Sequence, residues 1–346
     1  FLNTQAPYKL CKLAVTMIFL LCITWLFASS AALEKPYYDL EKAEQYFEKF
    51  IKTFNRTYQN NAEKQRRLEI FKLTLKEINQ LNAESEAAHG VNNFSDLTSE
   101  EFVDQHTGFI PGNGLGSVCQ VLTDYDINTN EAPPSLDYRQ LNAVTTIKNQ
   151  SPCNSCWAFS TIGSIEGQFA IRHQQLVQFS EQQLMDCLRC SGHCERGSYM
   201  TRALSELTQH PGVEYETDYP YVGRDLRCQA TPGKAQVRVT GCINYQLTNE
   251  NKLKEVLFKH GPIAIAVNGA AMQHYTGGIY EARKCPPTPL SHGVLLVGYG
   301  TERGRDYWLV KNSYGFSFGE EGYIRLARGT NTCGLMNNDA ASALVA

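Results

Sequence analysis

A cysteine, a histidine and an asparagine stand in settings where they could act together. The run Gln150-Ser151-Pro152-Cys153-Asn154-Ser155-Cys156-Trp157-Ala158-Phe159 opens a stretch that reads as a helix to about Arg172, with Phe159, Ile162, Gly163, Phe169 and Ala170 available for packing. A cysteine at the start of a helix faces unpaired N–H groups and the positive end of the dipole, and both favour its thiolate. His292 heads the apolar run Gly293 to Tyr299, and Asn312 follows the run Tyr307 to Lys311. An imidazole can take and return the thiol proton, and an amide oxygen can hold the ring's other N–H and fix its tautomer. The chemistry of such a set is acyl transfer. Each residue alone has a plainer reading: a structural histidine, a turn asparagine, a redox dithiol in Cys153-x-x-Cys156. A dithiol exchanger, however, gives His292 and Asn312 nothing to do.

The elements that must position these groups are legible around them. Between Asp39 and about Asn82, Tyr46, Phe47 and Phe50, then Leu68, Phe71, Leu75 and Ile78, recur at helical spacing. Cys, Gly and Pro are absent from that stretch, which suits a small helical unit. Phe109 to Gly116 reads as loop, and Glu131-Ala132-Pro133-Pro134 as an exposed boundary. Beyond it the helix from Cys156 is followed by a second, with Ser180 and Gln183 spaced as a capping box. Ile263 to Val267, Gly293 to Tyr299, Tyr307 to Lys311 and Gly322 to Leu326 are short, β-rich and bounded by glycines. A helical half and a sheet-rich half leave a cleft between them, a natural place for a site.

Composition narrows the class. The chain has 346 residues, 42% hydrophobic and 19% charged, with net charge −3, which fits two or three globular units and gives no basic surface for nucleic acid. Leu13 to Phe27 is apolar, follows Lys9 and Lys12, and leads into Ala28-Ser29-Ser30-Ala31-Ala32, the pattern of a signal peptide; a membrane anchor is the competing reading, and the run is short for one. Of twelve cysteines, Cys119 stands alone in a Gly-rich stretch and nine follow from Cys153 onward. Nine is odd, so one thiol is left over for chemistry in an oxidising compartment.

Taken together, the Cys156, His292 and Asn312 segments resemble the papain-like cysteine peptidases, nearest to the cathepsin L-like and F-like branches. The resemblance runs from about Asp39 to the C-terminus. It implies an α+β, papain-like two-lobed fold with a helical left lobe and a β-barrel-like right lobe, preceded by a small helical propeptide domain. It implies residues 1–32 as signal peptide region, 33–131 as inhibitory propeptide and 132–346 as peptidase domain. It makes Cys156 the nucleophile, His292 its base, Asn312 the holder of that base, and Gln150 an oxyanion donor beside the Cys156 N–H. Glu63, Arg67, Phe71, Ile78 and Asn82 match one propeptide pattern, with Thr74 in place of an Asn; Gly90, Asn92, Phe94 and Asp96 match a second. The expected activity is a cysteine endopeptidase made as a zymogen, with release of the propeptide in acid as carboxylates are protonated.

The resemblance also assigns a pocket. Tyr199, Ala266, Leu290 and Gly293 wall S2 with Asn338 at its floor, an apolar pocket suited to a hydrophobic P2 side chain. Gly197 should bind the substrate main chain. Ser151, Asn154 and Arg196 stand where the family has Gly, and Tyr138, Tyr314 and Phe318 where it has Trp; Tyr314, counted with the substrate-binding residues, should still shield the Asn–His hydrogen bond. Disulfides Cys153–Cys194, Cys187–Cys228 and Cys285–Cys333 are implied, and Cys190–Cys242 is expected as an extra bridge. A zinc knuckle from Cys187, Cys190, His193 and Cys194 is the rival. Protein and peptide substrates and the chain's own propeptide are the expected partners. No cofactor, no metal, no nucleic acid and no stable membrane insertion after signal removal are expected, in a monomer of the secretory pathway, lysosomal or extracellular. The rival function is a catalytically impaired homologue that binds peptides, motivated by the altered glycines and tryptophans.

Overall fold

In the computed structural model the described residues are 33–346, apart from 113–116, 129, 151, 232 and 338–339. The signal-peptide region, Ser151 and Asn338 therefore lie outside the described residues. Residues Lys35–Ala346 form one unit.

The front segment is built on α1 (Ala43–Thr53) and α2 (Asn61–Glu84), which are separate helices. Asn60 caps α2 by accepting from the Glu63 N–H at 2.9 Å. Phe71 of α2 packs between Phe47 and Phe50 of α1, with ring centroids 5.3 and 5.2 Å away. Burying each such ring is worth about 1.5–3 kcal/mol. Arg56 grips the Asp96 carboxylate at 2.5 Å, and Tyr58 donates to it at 2.9 Å. The chain then makes β1 (Ala88–His89) and α3 (Ser99–His106), the latter started by a capping box between Thr98 and Glu101. Strand β2 (Gln120–Thr123) follows the cleft-spanning stretch.

The larger part opens with β3 (Leu136–Asp137) and the central helix α4 (Cys156–His173). Helix α5 (Glu181–Cys187) is capped by Ser180, which accepts from the Gln183 N–H at 2.9 Å. The reciprocal half of that box is absent, because the Gln183 amide instead donates to Gly212 O and accepts from Glu214 N. Short α6 (His193–Arg196) and α7 (Met200–Leu207) complete the helical lobe. Strand β4 (Val239–Gln246), α8 (Glu250–His260), β5 (Ile263–Val267), β6 (Tyr275–Gly277), β7 (Ile279–Tyr280), β8 (His292–Glu302), β9 (Arg305–Lys311), β10 (Tyr323–Ala327) and β11 (Ala340–Val345) follow. The nine-stranded sheet runs β2-β4-β11-β5-β8-β9-β10-β7, with β3 on β8. One apolar core lies around α4, α5 and α7, and another on the sheet side of α8. This is a mixed architecture of a helical lobe and a sheet-rich lobe, with helices in the front segment.

Disulfides join Cys153–Cys194, Cys187–Cys228, Cys285–Cys333 and Cys119–Cys242. The expected Cys190–Cys242 bridge does not exist. Parallel pairing of β2 with β4 brings Cys119 to 4.6 Å from Cys242 between Cα atoms, and Cys190 stays a buried free thiol beside Glu206. The knuckle fails for the same kind of reason: Cys187 and Cys194 are spent in disulfides.

Candidate active site

Cys156 is the first residue of α4, and its side chain is buried. The Gly293 N–H, at the head of β8, donates to Cys156 Sγ at 3.1 Å. That approach needs a glycine, since a Cβ on Gly293 would lie 2.9 Å from Ser160 Oγ and 3.2 Å from Cys156 O. Strand β8 pairs antiparallel with β5, Val267 opposite His292, and His292 is the chain neighbour of the Gly293 that contacts the sulfur. His292 Nε2 is 2.7 Å from Asn312 Oδ1, just past the end of β9. The ring therefore leaves Nδ1 uncommitted, and Nδ1 has no hydrogen-bond partner among the described residues.

Burial opposes ionisation of both groups in this covered state. Burial pushes the Cys156 thiol up to about 12, against the pull of the Gly293, Trp157 and Cys156 N–H groups. Burial likewise takes His292 down to about 4, helped by nearby His106 and opposed by Asn312. The thiolate expected from the helix end is thus opposed while water is excluded.

What excludes water is the front segment. Gln150 Nε2 lies 3.2 Å from Thr107 O, 3.3 Å from His106 O and 2.9 Å from Cys153 O. Its Oε1 is fixed by Ser313 Oγ at 2.6 Å, and its own carbonyl by Tyr221 OH at 2.7 Å. Past α3 the segment forms a strand-like ladder: Gly108 N and Phe109 N donate to Ser291 O, Ser198 N donates to Gly108 O, and Ile110 N donates to Ser198 O. Ser198 makes these bonds, whereas Gly197 provides clearance; a Cβ on it would sit 1.8 Å from Gly108 O. Asn154 Nδ2 donates to Asp104 O at 2.7 Å, so this side chain clasps the segment. Phe109 is buried in an apolar cluster with Met200 and Ala266, and Tyr199 and Leu290 pack against that cluster.

The front segment is also anchored away from the cleft. Strand β1 pairs antiparallel with β6, Gly90 N donates to His274 O, and Asn92 Nδ2 donates to Gln273 O at 2.7 Å. Phe94 and Phe102 meet the Tyr314 ring edge-on, and Tyr314 stacks on His292. Phe94 also contacts Phe318.

Several contributors carry no local signal in the sequence. Ser313 and Tyr221 orient Gln150, and His106 and Thr107 cap it. Ser313 adjoins Asn312 and could have been found by asking what holds a buried amide. Tyr221 lies in a loop with no periodicity to flag it.

Comparison with known proteins agrees with this geometry. The papain family cysteine protease model matches residues 132–343, and the cathepsin propeptide inhibitor domain matches 47–102. The viral cathepsin of Spodoptera litura multicapsid nucleopolyhedrovirus is 41% identical, covering 92% of this chain and 96% of its own length. That of Lymantria dispar multicapsid nuclear polyhedrosis virus is 40% identical, covering 92% and 90%. The digestive procathepsin L2 proteinase of the Tenebrio molitor larval midgut superposes with TM-score 0.80 at 34% identity, covering 87% of this chain and 99% of its own. The chain belongs to the papain family of cysteine proteases, as a zymogen carrying a cathepsin propeptide inhibitor domain.

Proposed function

We propose that Cys156, His292, Asn312 and Gln150 are the catalytic set of an endopeptidase that prefers a hydrophobic P2 residue. The observation that carries this reading is the hydrogen-bonded chain Asn312–His292 beside the Gly293–Cys156 contact, with Gln150 aimed at carbonyl oxygens in the same cleft.

Removal of the propeptide returns water to the cleft, and the desolvation that opposes ionisation of both groups falls away. The Cys156 proton passes to His292 Nδ1, while Asn312 accepts from Nε2 and keeps the ring in place. The thiolate adds to the peptide carbonyl carbon. Gln150 Nε2 and the Cys156 N–H donate to the oxyanion, a contribution of about 2.7–4 kcal/mol per donor in related chemistry. His292 gives its proton to the leaving amine, then deprotonates water, which releases the acid and restores the thiol. Burial of propeptide Phe109 with Ala266, Tyr199 and Leu290 supports an apolar S2. Four disulfides support a secretory route, lysosomal or extracellular.

The test is alkylation of the acid-activated protein by an epoxysuccinyl peptide. Modification of Cys156, lost in His292→Ala, supports the assignment. Absence of modification after verified propeptide removal would sink it in favour of the peptide-binding reading.

A further inference from the structure

The chain between the propeptide helices and the peptidase domain falls into two unlike parts. His106 to Ile110 fills the cleft and contacts Gln150, Ser198 and Ser291. From Val118 onward the chain leaves the cleft and becomes part of the peptidase body. Strand β2 pairs in parallel with β4 in continuous register, Gln120 opposite Ile243 through Thr123 opposite Gln246, and forms the end of the nine-stranded sheet. Val118 N donates to Ser205 Oγ at 2.9 Å. The Asp124 carboxylate accepts from Thr248 N at 3.2 Å, and Lys252 Nζ donates to Ile127 O. Ile127 is 6% exposed and belongs to the sheet-lobe core, with Leu122 packed against it. The N–H groups of Glu131 and Ala132 donate to the buried Glu255 carboxylate at 2.9 and 3.2 Å. The Cys119–Cys242 disulfide locks the start of this run, both cysteines being buried. Residues 103–131 lie outside both family matches.

We propose that the segment beginning at Cys119, with β2 (Gln120–Thr123) as its edge strand, is a permanent part of the mature enzyme, kept by the Cys119–Cys242 disulfide after the inhibitory helices are removed. The inference rests on zymogen processing but not on the catalytic assignments. A cut between Ile110 and Cys119 leaves the strand as an N-terminal extension. A cut near Ala132 leaves it as a second chain, joined only by sulfur. If that second cut were the only one, the whole propeptide would stay tethered beside its cleft at an effective concentration on the order of millimolar and would re-bind. Productive activation therefore requires cleavage upstream of Cys119. Reduction by an added dithiol would free the strand: the disulfide gains two electrons and two protons to give two thiols, and the dithiol closes to its own disulfide.

The experiment is intact-mass analysis of the processed protein, alkylated with iodoacetamide before and after dithiothreitol. Self-processed wild type and a Cys156→Ala chain processed by added pepsin are both measured, so a failure of self-cleavage is seen separately from a failure of this inference. The expected unreduced product includes residues 119–131 and leaves Cys242 unalkylated. In Cys119→Ser, a product cut near Ala132 loses that peptide without reduction. An unreduced mature wild-type protein that starts near Ala132, lacks the peptide and alkylates at Cys242 would overturn the proposal.

Discussion

The ring of Tyr314 lies over that of His292, centroids 4.7 Å apart and planes 20° from parallel. Two propeptide rings, Phe94 and Phe102, meet Tyr314 from the other side. The tyrosine hydroxyl is buried and has no hydrogen-bond partner among the described residues. An orphaned buried hydroxyl costs about 1–3 kcal/mol, so Tyr314→Phe should stabilise the zymogen while keeping the flat shield. A gain of about 1 kcal/mol corresponds to a Tm rise of roughly 2–4 °C at this domain size. Scanning calorimetry of the zymogen checks this, and a lower Tm would show that the hydroxyl is satisfied in solution.

Buried histidines at the docking surface should contribute to acid activation beside the carboxylates expected from the sequence. Burial holds His89 and His106 down to about 4 and His274 down to about 3. His89 sits by the Tyr280 ring, Glu281, Lys35 and Lys284; His274 faces His89 and, at 3.8 Å, Glu77. His106 lies between Phe94 and Phe102, near Arg56 and His292. Released, each should titrate near the usual value of about 6.5. The released form then binds protons that the docked form refuses, so docking weakens as pH falls from about 6.5 toward about 4. Glu101 differs: burial would raise it, but the Thr98 N–H with Arg66 and Arg67 holds it at about 2, so its contribution is lost progressively as pH falls from about 4.5 to about 2. The rate of zymogen conversion should climb through the histidine window, and a His89→Gln, His106→Gln, His274→Gln triple variant should flatten that climb. An unchanged pH profile in the triple variant would return the trigger to carboxylates.

How much of this was legible depends on how local each signal is. Cys156, His292 and Asn312 could be read because a helix start, a strand head and a strand end each leave a short pattern. The Ser180 cap is likewise local, although only its bond from the Gln183 N–H forms. The Cys119–Cys242 bridge spans 123 residues and depends on a parallel pairing that neither segment announces alone. Pairing leftover cysteines failed because Cys119 looked like loop while Cys190 looked like part of a disulfide cluster. The burial that raises the Cys156 thiol was illegible for another reason: helix-end electrostatics is written in sequence, whereas the burial that opposes it is supplied by residues some fifty positions upstream, at His106 and Thr107.

Gly197 offers a sharper test of the cleft backbone. Its φ of 74° is a conformation that side chains resist, and an added Cβ would meet the Gly108 carbonyl. Gly197→Ala should loosen the propeptide ladder and the approach of substrate main chain together. The expected outcome is faster zymogen conversion with KM of the mature enzyme raised about tenfold, equivalent to about 1.4 kcal/mol. Peptide hydrolysis kinetics on the processed variant measure this. A normal KM would show that substrate does not use the propeptide's path.

Behind Asn312 and Ser313 lies a buried charge network that should govern stability. Lys148 Nζ contacts Glu166 at 2.8 Å and Glu181 at 2.6 Å, and Thr145 joins Glu166 to Lys311. Glu166 and Glu181 are both about 1% exposed. Burial pushes Glu181 upward and Lys311 downward, so Lys148 is the cation that keeps the carboxylates tolerable. Removing it leaves two buried acids facing each other. Lys148→Met should cost about 3–5 kcal/mol, the range for breaking a buried pair by deleting one partner. Lys148→Met combined with Glu181→Gln removes one of those acids and should recover part of the loss. Denaturant unfolding of the zymogen, with all three proteins compared at one pH, reads both changes. A single variant as stable as wild type would mean the carboxylates take up protons or water at little cost, and the network would then have no claim on holding the cleft's floor.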